Sequence, residues 1–140
     1  MKIRPLKIVF ESLDDFKERT KAQLKKSTVS GKALSLAKNT LRFESVAAYQ
    51  QVMSDQKYAI LAAVYLHQPQ SVYQLAKIVG RSPQNVFRDC KVLEGHGFLI
   101  QEATGDNRKT KIPKLAFDYN AIVIYMPSIT YKVEFESDAA

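Results

Sequence analysis

The chain has 140 residues, 46% of them hydrophobic and 25% charged, with a formal net charge of +7. That is enough for one ordinary domain and too little for two. The longest apolar run, Tyr58 to Leu66, falls short of the roughly 20 residues a membrane-spanning helix needs. Charged residues follow the first apolar stretch of MKIRPLKIVFESLDD at once, so no signal peptide is expected. The single cysteine, Cys90, excludes an internal disulfide and offers no metal-ligand spacing, and a cytoplasmic protein is expected.

In chain order, Leu6 to Phe10 is a short apolar, β-branched run that predicts a strand. Ser12 then caps a helix expected to run to about Lys26, with Asp14 and Asp15 where the helix dipole favours acids. Leu13, Phe16, Thr20 and Leu24 make its stripe. Ser27 to Thr40 breaks the pattern and is expected to be a linker. The excess positive charge lies in residues 17–42, which hold eight Lys or Arg against Glu18. Such a stretch attracts phosphate backbones, or it is simply a solvated linker.

A weak internal repeat follows. Phe10-Glu11-Ser12 recurs as Phe43-Glu44-Ser45, with Ile8 matching Leu41, Leu13 matching Val46 and Phe16 matching Tyr49. Either a common strand-to-helix joint has been reused by chance, or two related units are present. Two copies are too few for a solenoid.

Val46 to Met53 is a predicted helix, and Ser54 opens another to about His67. The second is apolar around most of its girth and is expected to be the central core helix. Ser71 caps a helix through Val79. Gly80-Arg81-Ser82-Pro83 is a turn in which Ser82 caps and Pro83 suits the first helical position, and the next helix runs to Glu94 or Gly95. Phe98 to Ala103 is a strand, Thr104-Gly105-Asp106-Asn107 a hairpin turn, and Arg108 to Phe117 the return strand. Ala121 to Met126 is the last strand. Once the helices and hairpin are assembled, this strand and Leu6–Phe10 are left over, which suggests exposed edges that pair across a dimer.

The stretch SVYQLAKIVGRSPQNVFRDCKVLEGHGFL has the parts of a helix-turn-helix in order. Val72, Leu75, Ala76 and Val79 share one face of the first helix, and Gly80 lets the chain turn. On the second helix, successive residues rotate by about 100 degrees. Val86, Cys90 and Leu93 cluster on the side expected to be buried, and Cys90 is expected to be an inert core thiol. Gln84, Arg88 and Lys91 lie opposite, with Ser82 at the helix start and Asn85 and Phe87 on the flanks. Gln and Asn can pair with both edge groups of adenine, Arg with those of guanine, and Phe with a thymine methyl. The hairpin adds Arg108, Lys109, Lys111 and Lys114, placed to reach phosphates or a minor groove. Any surface helix shows polar residues outward, but here Asp89 and Glu94 stay off the centre of the face.

This stretch, with Leu93-Glu94 and Gly97-Phe98-Leu99 at the helix-to-hairpin junction, resembles the MarR-like and ArsR-like winged-helix transcriptional regulators. It closely resembles the short prokaryotic regulators of this class, some of which serve as antitoxins beside a small toxin gene. The resemblance covers residues 54–118 well and the first forty poorly. No long terminal dimerisation helix of the MarR kind stands out, and no cysteine pair suggests an ArsR metal sensor. The resemblance implies a sequence-specific DNA-binding regulator, a repressor that binds double-stranded DNA as a homodimer. A toxin held by the N-terminal arm, an RNA-binding role or a protein-interaction role is the alternative.

The expected fold is α+β, mainly α: a winged helix-turn-helix with an extra N-terminal strand-helix arm. Residues 1–44 would be that arm and its basic linker, 45–126 the DNA-binding domain and 127–140 an acidic tail. No enzymatic activity, cofactor, metal site or membrane association is expected. His67 falls at a helix end, His96 in the Gly95-His96-Gly97 turn, and no phosphate loop or nucleophile motif is present.

Overall fold

The computed structural model describes residues 2–18, 21, 39–104 and 107–126, with backbone alone at 104 and 107–110. Five strands and five helices follow in the order β1 (Pro5–Phe10), α1 (residues 13–18), β2 (Thr40–Phe43), α2 (Val46–Val52), α3 (Asp55–His67), α4 (Val72–Val79), α5 (Pro83–Gly95), β3 (Leu99–Thr104), β4 (Asn107–Leu115) and β5 (Ala121–Ile124). The helix expected over 12–26 is present at its start, and its far end lies outside the described residues, as do most of the linker and the acidic tail.

A serine opens each of the five described helices. The Oγ atoms of Ser12, Ser45, Ser54, Ser71 and Ser82 accept from the backbone N–H groups of Asp15, Ala48, Lys57, Gln74 and Asn85. Each satisfies a donor the first helical turn would leave unpaired, a cap worth about 1 kcal/mol. The helix boundaries are therefore set by local chemistry, before any tertiary packing.

The sheets divide the strands into two sets. β3 and β4 form an antiparallel hairpin. β1 lies between β2 and β5 in a three-stranded sheet, parallel to both. The two end strands are thus not left over, because β1 pairs with β5 inside one chain. Thr40 is likewise not linker: it is the buried first residue of β2. The register of β1 on β2 sets Ile8 beside Leu41 and Phe10 beside Phe43, the same offset as the sequence repeat. The two copies are adjacent parallel strands, each running into a serine-capped helix.

Leu6 and Ile8 of β1, Phe43 of β2, Leu75, Val86 and Leu93 of the helices and Phe98 beyond them belong to one continuous core. α3 is less central than its composition suggests. Ile60, Leu61, Ala63 and Val64 are buried, but Ala59, Ala62 and Leu66 face outward, Leu66 being 68% exposed. Composition cannot say which side of an apolar helix finds a neighbour. α3, α4 and α5 followed by the β3–β4 hairpin make a winged helix-turn-helix, with the parallel sheet continuing its core. No described helix is long and apolar enough to cross a membrane.

Candidate nucleic-acid interface

The turn between α4 and α5 fixes how the second helix crosses the first. Gly80 ends α4 at φ +71°, its N–H directed at the carbonyls of Ala76 and Lys77, and Arg81 N–H donates to the Ala76 carbonyl at 3.1 Å. A Cβ at Gly80 would meet nothing within 4 Å, so the glycine is there for its backbone angle and not for space. Arg81 then reaches across the turn to Asp89, Nη1 to Oδ2 at 2.9 Å, with both side chains mostly shielded. This pair ties the turn to α5 and takes the only carboxylate of the helix's first half away from solvent.

α5 is anchored by Val86, Cys90 and Leu93, all fully buried. Burial, with help from Asp89 and Glu94, pushes the Cys90 thiol up to about 12. At neutral pH it holds its proton and is a core side chain, as its position predicts. The opposite side exposes Gln84, Asn85, Phe87, Arg88 and Lys91, with Ser82 exposed at the helix start. Ser82 Oγ is occupied by the Asn85 N–H. Lys91 Nζ lies 4.9 Å from the centre of the Phe87 ring, a cation–π pair on one helix face. The Gln84 and Arg88 side chains and the Asn85 amide have no hydrogen-bond or ion-pair partner among the described residues. The six positions predicted on this helix therefore come together on one solvent-facing surface.

The wing is bolted to α5 through Phe98. Its N–H donates to the Leu93 carbonyl at 2.9 Å, and its own carbonyl accepts from Ala116 N–H at 3.1 Å and from the buried Tyr119 hydroxyl at 2.9 Å. Gly97 precedes it at φ +90°, and an added Cβ would stand 3.0 Å from Leu41 Cδ2. The backbone angle favours glycine here, and any Cβ would also press on the Leu41 side chain of β2. His96 caps the C-terminus of α5 with its ring stacked on Phe43 at 5.9 Å, and His67 is the last residue of α3.

Of the basic wing residues, Lys111 is exposed on β4, and Lys114 pairs with Glu102 across the hairpin at 2.7 Å. Arg108 and Lys109 also lie on β4, with side chains outside the described residues. Lys114 is thus partly neutralised, which its place in the sequence did not show. Sequence reasoning also missed Tyr119, the Arg81–Asp89 pair and an aromatic-basic pair on α4, where Lys77 Nζ lies 5.0 Å from the Tyr73 ring. The last was legible as an i, i+4 spacing; the other two join segments whose proximity only the fold creates. Among the described residues no group of three His, Cys, Asp or Glu side chains is placed to hold a metal ion.

Solved structures similar to this chain, all those named here at low identity, include transcriptional regulators. Tm0710 of Thermotoga maritima is 17% identical, with a TM-score of 0.42 over 71% of this chain and 61% of that one. A MarR-like regulator of the same organism, tm0816, is 19% identical, with a TM-score of 0.41 over 76% of this chain and 65% of that one. S. aureus MepR, in a complex with DNA, is 16% identical, with a TM-score of 0.43 over 71% and 70%. The chain thus spans less than two thirds of the length of the first two. No curated protein matches it. The model of one protein family, HVO_A0114, matches residues 52–124, just over half of the chain, from the last residue of α2 to the last of β5. The chain belongs to the HVO_A0114 family.

Proposed function

We propose that the protein binds duplex DNA, with α5 in the major groove and the β3–β4 wing against the backbone, and regulates transcription where it binds. The observation that supports this is the outer face of α5. The side chains of Gln84, Asn85 and Arg88 are exposed and have no partner among the described residues, Lys91 lies beside them, and Asp89 is drawn off by Arg81. Amide and guanidinium groups on one helix face match the donor and acceptor patterns of adenine and guanine, and Phe87 suits a thymine methyl. Ser82, at the helix start, contributes a phosphate contact in this reading. Arg108, Lys109 and Lys111 on β4 give the wing its phosphate contacts.

One helix reads only a few base pairs, so the reading includes a homodimer whose two α5 helices sit about one turn of DNA apart. It acts as a repressor by occupying an operator of two half-sites. A toxin held by residues 1–44 would have to engage something other than β1, whose Leu6 and Ile8 are fully buried.

The test is selection of a binding site from random duplexes, followed by titration against structured RNA. Preferential retention of one duplex, uncompeted by RNA, is the expected result. Equal competition by RNA would contradict it. Light scattering of the protein with and without that duplex tests the dimer, and a monomer in both conditions would rule it out.

A further inference from the structure

The ion pair between the α4–α5 turn and α5 lies beside the reading face. Arg81 leaves the turn from a fixed point, since its backbone N–H is held by the Ala76 carbonyl at 3.1 Å. Its Nη1 reaches Asp89 Oδ2 at 2.9 Å, and the two side chains are only 20% and 17% exposed. Nη1 is shut off from solvent and has no aligned hydrogen bond among the described residues, so the Asp89 charge is what compensates it. Neither side chain is free to turn outward without leaving the other uncompensated.

Without that clamp, Asp89 would be badly placed. It follows Arg88 directly and stands four residues after Asn85, a spacing that makes two side chains neighbours on a helix, about 5–6 Å apart at Cβ. A released carboxylate would accept from the Asn85 side-chain amide, which has no partner among the described residues. That amide is the donor an adenine N7 needs. The carboxylate would also set a negative charge before the phosphates of a duplex. We propose that Arg81 is a positioning residue for the reading helix: it holds Asp89 away from both the Asn85 amide and the phosphates. The inference rests on α5 being the helix that enters the major groove.

Arg81 could instead touch a phosphate itself, as a basic residue beside a helix start often does. Its shielded side chain and solvent-free Nη1 favour the clamp, because a phosphate contact needs the guanidinium turned outward. The two roles differ in one respect that can be measured. A clamp is needed only while Asp89 carries its carboxylate, so removing Asp89 makes Arg81 dispensable for binding. A direct contact is lost with Arg81 whatever stands at position 89.

The test is a double-substitution cycle on the full chain, read against a duplex selected by the parent, with denaturant titration to establish that each chain is folded. Arg81→Ala should bind about tenfold more weakly, within the range of couplings between residues in contact. Asp89→Ala and the double variant should both bind within about threefold of the parent. Arg81→Lys, which keeps the charge, should do the same. Asn85→Ala should cost the parent about fivefold or more, and the Arg81→Ala chain less than about twofold, since the amide there is already taken. If Arg81→Ala does not fold, Arg81→Met keeps the apolar stem and takes its place in the cycle. A double variant as weak as the Arg81 variant would mean that Arg81 touches the duplex or only shapes the turn, and would overturn the proposal. Unchanged binding by the Arg81 variant would overturn it too. A parent that selects no duplex ends this inference together with the proposed function, whereas a parent that selects one without rescue in the cycle ends this inference alone.

Discussion

Around the parallel sheet, the polar groups are turned on one another. Arg4 Nε meets Asp118 Oδ1 at 3.0 Å, its backbone N–H donates to Asn120 Oδ1 at 2.7 Å, and Asn120 Nδ2 donates to the Lys2 carbonyl at 3.0 Å. Arg42 sits 3.8 Å from Glu11, joining the two copies of the repeat. On the outer face of α5 the same residue types are treated in the opposite way: Arg88, Gln84 and the Asn85 amide have no partner among the described residues. Where an Arg or Asn is paired inside the chain, its role is to hold the fold. Where it is left unpaired on a rigid helix, it is available to something else. Substitutions in the two regions should accordingly fail in different assays.

The largest expected effect is at the sheet. Deleting residues 1–30 removes β1, the strand that carries both β2 and β5, and with it the fully buried Leu6 and Ile8. Loss of the cooperative unfolding transition is expected, seen by circular dichroism. A deletion that kept that transition would show that the arm is dispensable. Ile8→Ala alone should cost about 2–5 kcal/mol in a denaturant titration.

At the junction between the regions the effects shrink. Gly97→Ala forces a left-handed backbone on alanine and presses against Leu41, a loss of about 1–2 kcal/mol from the backbone angle alone. Tyr119→Phe removes the hydroxyl that reaches the Phe98 carbonyl, a loss of about 1 kcal/mol. If thermal melts showed neither, the wing would not be held as described.

Cys90 gives a pH test of the same core. Its thiol is raised from 9.0 to about 12 by burial, so the folded chain keeps a proton the unfolded chain releases. The stabilisation is complete below pH 9 and is lost as pH rises from there toward 12. Cys90→Ala should flatten the fall of the melting temperature over that window, and an unchanged slope would mean the thiol is not shielded. The smallest effect is expected at the wing. Lys111→Ala should leave stability unchanged, weaken binding to all duplexes alike and reduce the salt slope by about one.

The difference between the regions also explains what was legible in advance. The serine caps and Pro83 act within one helical turn, so the helix starts, the turn and the exposed face of α5 follow from short-range spacing alone. The sheet does not. β1 meets β5 across most of the chain, and apolar runs of four to six residues carry no address for a distant partner. The repeat did carry one: the offset from Phe10 to Phe43 is the ladder register itself. Two short copies were too little to separate that from a reused joint. For α3, apolar composition stated that burial was possible on every side, and only the packing decided that Leu66 stays outside. At the site, the spacing of Lys114 resembled that of its neighbours on β4, and the hairpin register alone brings it to Glu102.

The most direct measurement is Arg88→Ala read in both assays at once, against a duplex selected by the unsubstituted protein. Arg88 is exposed and has no partner among the described residues, so the variant's unfolding free energy should stay within about 0.5 kcal/mol of the parent. Affinity for the selected duplex should fall by about 1–3 kcal/mol, with less loss on unrelated duplexes. Equal affinity of the variant and the parent for the selected site would contradict the assignment of α5 as the reading helix.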